Sequence, residues 1–149
     1  NAAGQGILYE RFGDCRRLIS GRTALMNEYH GFISRLSSEL APGSLIIDCH
    51  SFPSDLADID ICIGYNDDAS KPEQEMIDKA THLLDRAGFK VGLNNPYSNS
   101  ITPKKPIDYK SLMIEVNKRC HMNEGTLART VGYDIISGLV NDFYRLVLA

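Results

Sequence analysis

No apolar run in this 149-residue chain approaches the ~20 residues a helix needs to cross a bilayer, so no helical membrane span is expected. Charge of one sign is missing as well. Sixteen basic against 19 acidic residues leave a net charge of −3. With a pI near 5.8, that balance gives no electrostatic footprint for nucleic acid or an anionic membrane. The opening residues, Asn1 to Gly6, carry neither a basic n-region nor an apolar h-region, and no signal peptide is expected. They also lack an initiator Met, which predicts a processed or partial chain. Cys15, Cys49, Cys62 and Cys120 never form a CxxC pair, which argues against a zinc knuckle or a thioredoxin-type site. They are expected to be free thiols in a reducing cytosol. No HxxxH or HExxH occurs, so there is no self-sufficient zinc motif. Internal repeats and low-complexity segments are absent too.

What is present is the composition of an ordinary soluble globule, 43% hydrophobic and 23% charged. The length suits a single domain over residues 1–149, burying roughly 70% of its unfolded surface. Leu25, Tyr29, Phe32, Ile33, Leu36 and Leu40 recur at helical spacing and predict a helix over 22–40, stopped by Pro42-Gly43. Strands are predicted at 44–49, 60–64, 89–93 and 111–116 from apolar, β-branched runs. Between them, Ser70-Lys71-Pro72-Glu73 reads as a capping box opening a helix over 71–87, with Gly88 closing it. Residues 94–108 hold three prolines, two serines and three asparagines and form one long loop, expected to act as a lid. A last helix over 126–148 would bury Leu127, Val131, Ile135, Leu139, Val140, Phe143 and Leu146. This alternation predicts an α/β fold: a mixed, mostly parallel sheet with helices on both faces. Ligands of such sheets bind beyond the carboxyl ends of the strands.

The stretch LIIDCHSFP, residues 45–53, carries the chemistry. A buried strand runs straight into a carboxylate, a thiol, an imidazole and a hydroxyl. Neighbours on a strand point to opposite faces, so Cys49 and His50 diverge, while Asp48 and His50 share a face. Cys49 is therefore packing material. His50 is a metal ligand, an acid–base group or a hydrogen-bonded core histidine. Glu115, inside SLMIEV, is costly to bury alone. It is either paired with an Arg or a general base with a raised pKa. His30 and His82 are expected at the surface.

Four stretches in order, LIIDCHSFPSD, DIDICIG, LNNPYSNSIT and SLMIEVNKRCHMNE, resemble the N-formylglutamate amidohydrolases, distant relatives of the zinc carboxypeptidases. The upstream GILY and NEYH fit as well. The resemblance implies a zinc-carboxypeptidase or phosphorylase/hydrolase-like fold lacking its N-terminal part, so that 1–149 is the C-terminal portion of the family's domain. By the same resemblance His50 is a zinc ligand and Glu115 the carboxylate that activates the zinc-bound water. Asp48 orients the imidazole from behind, and Asn95, Tyr97 and Ser98 line the substrate pocket. The cofactor is Zn2+, whose other two ligands, with a substrate-binding Asn-Arg pair, lie upstream of Asn1 in this family. Ser98-Asn99-Ser100 replaces the glycine pair usual in the substrate loop.

The expected activity is zinc-dependent hydrolysis of an N-formyl or other small N-acyl amino acid, N-formylglutamate for example, releasing formate and the amino acid. The expected partner is a small N-acyl amino acid or a peptide, with no nucleic acid and no membrane, in the cytoplasm. Two alternatives stay open. One is a carboxypeptidase-type hydrolase of peptide or cell-wall amides; the other is a binding domain that keeps the fold without the metal.

Overall fold

A computed structural model describes residues 11–12, 15–16 and 21–148. They fall into two compact units, the described residues up to 40 with 103–106, and residues 41–102 with 107–148.

In the first unit, β1 (Arg11–Phe12) pairs antiparallel with β2 (Cys15–Arg16). Helix α1 (Arg22–Glu39) follows the left-handed Gly21. Its half-buried apolar side chains are Met26, Tyr29, Ile33 and Leu36, with Leu40 buried behind them, whereas Leu25 and Phe32 of the expected stripe are exposed. Lys105 donates to the carbonyls of Ser37 and Leu40 at 2.8 and 2.5 Å. A cation thus satisfies acceptors that a helix end leaves open, where the helix dipole favours positive charge.

The second unit is built on four strands, β3 (Ser44–Phe52), β4 (Ile61–Tyr65), β5 (Val91–Leu93) and β6 (Tyr109–Asn117), in the order β3-β6-β4-β5. β3 and β6 are parallel, β4 and β5 are parallel, and β4 and β6 are antiparallel. The sheet is mixed and mostly parallel, as expected. β3 runs on through His50 and Ser51 to Phe52, past the predicted end at 49. β5 is shorter than the predicted 89–93, because Phe89 N–H still bonds back to Leu84 O and closes α2 (Gln74–Arg86).

α2 and α3 (Gly132–Val147) contribute to the same core. Ile77, Ala80 and Leu84 from α2, and Ile136, Leu139, Phe143 and Val147 from α3, are buried. They share one cluster with Ile61, Ile63, Leu112, Ile114 and Val116 of the sheet. Both helix ends depart from expectation. α2 begins at Gln74, and Ser70 caps nothing: its N–H and hydroxyl both go to Asp68 Oδ1, at 2.8 and 2.6 Å. Asp68 turns the chain on itself, and Pro72 keeps the residue before it out of helical geometry. α3 begins at Gly132, six residues after the predicted start. Asn123 Oδ1 accepts from Gly125 and Thr126 N–H, Leu127 has φ +59°, and Met122 bridges to Arg129, so 123–130 is a closed turn. Leu127, Val131 and Ile135 are accordingly exposed, Val131 by 87%, and the core stripe is shifted to Ile136, Leu139, Phe143 and Val147.

Candidate active site

Register on the other face of the sheet decides what the reactive residues can do. His50 lies opposite Glu115 across the parallel pair β3/β6, and Glu115 lies opposite Cys62 across β4/β6. Side chains in register across neighbouring strands share a face, with backbones about 4.8 Å apart. The row His50–Glu115–Cys62 therefore crosses the sheet. A parallel row, Asp48–Met113–Gly64, lies one pleat below it. Cys49 points the other way, its Sγ 3.1 Å from Tyr144 Oη of α3, so it is no partner for His50.

Asp48 and His50 meet on one face as strand alternation requires, with Nε2 2.7 Å from Asp48 Oδ1. The Asp48 side chain is 11% exposed and that of His50 49%. Asp48 fixes the ring by Nε2, leaving Nδ1 as the imidazole's other ligand atom.

Glu115 is only 8% exposed, and its Oε2 has no hydrogen-bond partner among the described residues. Among the described residues no Arg neutralises it: Arg119 pairs with Asp58 and Asp60 at the outer end of the strand. Burial raises the Glu115 pKa, opposed by the charge of His50 and reinforced by that of Asp48. A carboxylate that holds its proton more tightly than usual, beside an imidazole, is equipped to take up and return a proton.

The loop after β5 lies over this face. Tyr97 packs edge-on against Phe52, ring centroids 6.4 Å apart, and its carbonyl accepts the Cys62 thiol at 3.3 Å. The backbone comes down where strands lack side chains: a Cβ on Gly64 would sit 2.8 Å from Asn99 O, and one on Gly92 2.5 Å from Asn95 O. Asn95 and Ser98 are exposed. The expectation of a lid needs correcting over residues 94–101, which are pinned. Asn94 N–H donates to Ile63 O and Asn94 Oδ1 accepts Tyr65 N–H, both at 2.8 Å. Buried Asn66 donates to Ser100 O at 3.3 Å and accepts Ser100 N–H at 3.2 Å, while Ser111 Oγ donates to Ile101 O at 2.6 Å. Such a segment is a fixed wall. Asn66→Ala leaves both backbone groups of Ser100 without their partner and is expected to cost about 2–3 kcal/mol. Urea denaturation, with faster exchange of the Ser100 amide, checks it.

Asn66 escaped the sequence reading, and nothing in it gave Ser100 or Asn117 an anchoring role. Asn117 is fully buried, its Nδ2 donating to Ile59 O at 2.9 Å and its Oδ1 accepting Arg119 N–H at 3.1 Å. The one signal was an amide ending an apolar strand. A groove of about 530 Å³ lined by Lys79, His82, Arg86 and Leu139 lies in the helical layer, away from Glu115.

Among the described residues no three His, Cys, Asp or Glu side chains gather as a metal-binding group. His50, with its ring held by Asp48, fits one ligand position of a zinc site; a catalytic zinc takes three protein ligands.

The sequence model of the N-formylglutamate amidohydrolase family matches residues 13–122, which include Asp48, His50 and Glu115. No curated protein sequence matches the chain. Among solved structures, an N-formylglutamate amidohydrolase from Ralstonia eutropha JMP134 is 23% identical, with a TM-score of 0.55 over 89% of this chain and 51% of its own. A gene product from Agrobacterium tumefaciens is 17% identical, with a TM-score of 0.62 over 97% of this chain and 60% of its own. The chain thus spans about half to three fifths of the length of these two structures, which share its fold.

Proposed function

We propose that this chain, which belongs to the N-formylglutamate amidohydrolase family, carries the proton-transfer half of an active site that hydrolyses a linear amide. The substrate class is an N-formyl or other small N-acyl amino acid, with N-formylglutamate the first candidate, and the products are formate and the free amino acid. The observation that carries the reading is the register of His50 against Glu115, with a buried and unpartnered Oε2 on the carboxylate.

Zinc, held in part by His50, would polarise the scissile carbonyl and acidify water toward neutrality. Glu115, ionised, accepts the proton of the attacking water on its carboxylate and then returns it to the departing amine nitrogen as the C–N bond breaks. Its raised pKa suits both halves of that transfer, since the group must be a base first and an acid second. Asp48 holds the imidazole ring in place through Nε2. The pinned loop carrying Asn95, Tyr97 and Ser98 walls the substrate side and excludes water without having to close.

Among the described residues no helix is long and apolar enough to cross a membrane. Cys49, Cys62 and Cys120 are free thiols, which favours the cytoplasm as the place of action. The natural protein, supplied with zinc, is expected to release formate from N-formyl-L-glutamate. An enzymatic formate assay decides it. Release of a C-terminal residue from a peptide, with no formate from the formyl amino acid, would favour a carboxypeptidase-type activity instead.

A further inference from the structure

Two of the family-like stretches extend past their reactive residues, to Ser54 beyond His50 and to Glu124 beyond Glu115, and neither extension has a part in the proton transfer. The structure brings these two ends together. Glu124 Oε1 accepts the backbone N–H of Ser54 at 3.1 Å and also the Ser54 hydroxyl. We propose that Glu124 is a positioning residue: by binding both donors of Ser54 it holds the loop after β3 against the loop after β6 and keeps His50 alongside Glu115. The assignment rests on the function proposed above.

Three features support it. β3 is an edge strand, hydrogen-bonded among the described residues to β6 alone, so its carboxyl end has half the restraint of a central strand. Phe52, fully buried opposite Asn117, is its last paired residue, and two residues later the chain has already turned, with Leu56 N–H bonding to Pro53 O at 3.2 Å. Glu124 in turn stands on a rigid base: Asn123 N–H donates to Ala128 O at 2.8 Å, and Asn123 O accepts Leu127 N–H at 2.8 Å. The Ser54 hydrogen bonds hold the Glu124 carboxyl below its ordinary pKa, so the acceptor is ionised and the bond charge-assisted at neutral pH. An imidazole displaced by about 1 Å is enough to cost a large factor in rate.

In the natural protein Glu124→Ala is expected to lower kcat for formate release about 10- to 100-fold with KM nearly unchanged. Glu124→Gln, whose amide oxygen still accepts, should restore most of it. Ser54→Ala combined with Glu124→Ala should be no worse than the worse single variant. A second measurement is independent of catalysis. In Glu124→Ala, hydrogen exchange at the Ser54 and Leu56 amides should quicken at least about tenfold, while the Asn117 amide, bonded to Asp60 O at 2.8 Å, does not change. Unchanged exchange at Ser54, a wild-type kcat in Glu124→Ala, or additive effects of the two alanine variants would each overturn the proposal. Absence of formate release from the unsubstituted protein would instead overturn the functional reading, and the positioning role with it, even where exchange confirms the bond.

Discussion

Glu115→Gln is expected to lower turnover of N-formyl-L-glutamate about 10²- to 10⁴-fold, the range a positioned general base contributes. The change is nearly isosteric and removes only the capacity to accept and return a proton. Bound zinc should be unaffected, since the carboxylate is assigned the water and not the metal. The same variant carries a stability signature whose sign is opposite to that of most active-site lesions. Burial raises the carboxyl's pKa in the folded protein above its ordinary 4.5, so the ionised folded form is the costly one. Wild-type stability is thus fullest below that ordinary value and falls as pH rises through the folded pKa. Gln cannot ionise. The variant should be more stable than wild type at pH 8 by roughly 0.5–2 kcal/mol, the usual gain when a residue kept for function is relieved of its cost. Near pH 4 the gap should close. Thermal unfolding at the two pH values reads it directly.

His50→Ala is expected to lose both metal and turnover, the latter about 10³-fold or more, because the imidazole is the ligand proposed for the metal in this chain. Asp48→Asn should do less, about 10- to 100-fold in metal affinity, as is usual for a group that only orients a ligand. Metal content by atomic emission, alongside kcat/KM, separates the variants. Glu115→Gln keeps metal without turnover, His50→Ala loses both, and Asp48→Asn lies between. A His50→Ala protein with full metal content would remove the imidazole from the ligand set.

The parts of this site that follow from short-range geometry were legible in the sequence. Strand alternation put Asp48 and His50 on one face and turned Cys49 away, and an acidic residue inside SLMIEV stood out because such strands seldom bury a lone carboxylate. The register that sets His50 beside Glu115 was not derivable from the residues. Two parallel strands joined by a long crossover can pair in several offsets, and only the packed sheet fixes one. The same limit hid Cys62, which joins the row by antiparallel pairing with Glu115. The loop looked like a lid because its prolines and asparagines signal irregular backbone without saying what it touches. Its attachments, Asn66 to Ser100 and Ser111 to Ile101, are long-range hydrogen bonds with no local pattern. The helix ends failed for a different reason. Asp68 at one end and Asn123 at the other fold back on their own backbone, and a side chain that builds a turn competes with the cap or helix expected there.

The most direct test of the account is the titration of the Glu115 carboxyl carbon, followed by ¹³C NMR in the natural protein after zinc removal. Glu115 should titrate above 4.5, and its midpoint should rise further in His50→Ala, which lacks the imidazole that opposes the rise. A midpoint at or below 4.5 that ignores the loss of His50 would contradict the claim that these two residues form one acid–base site.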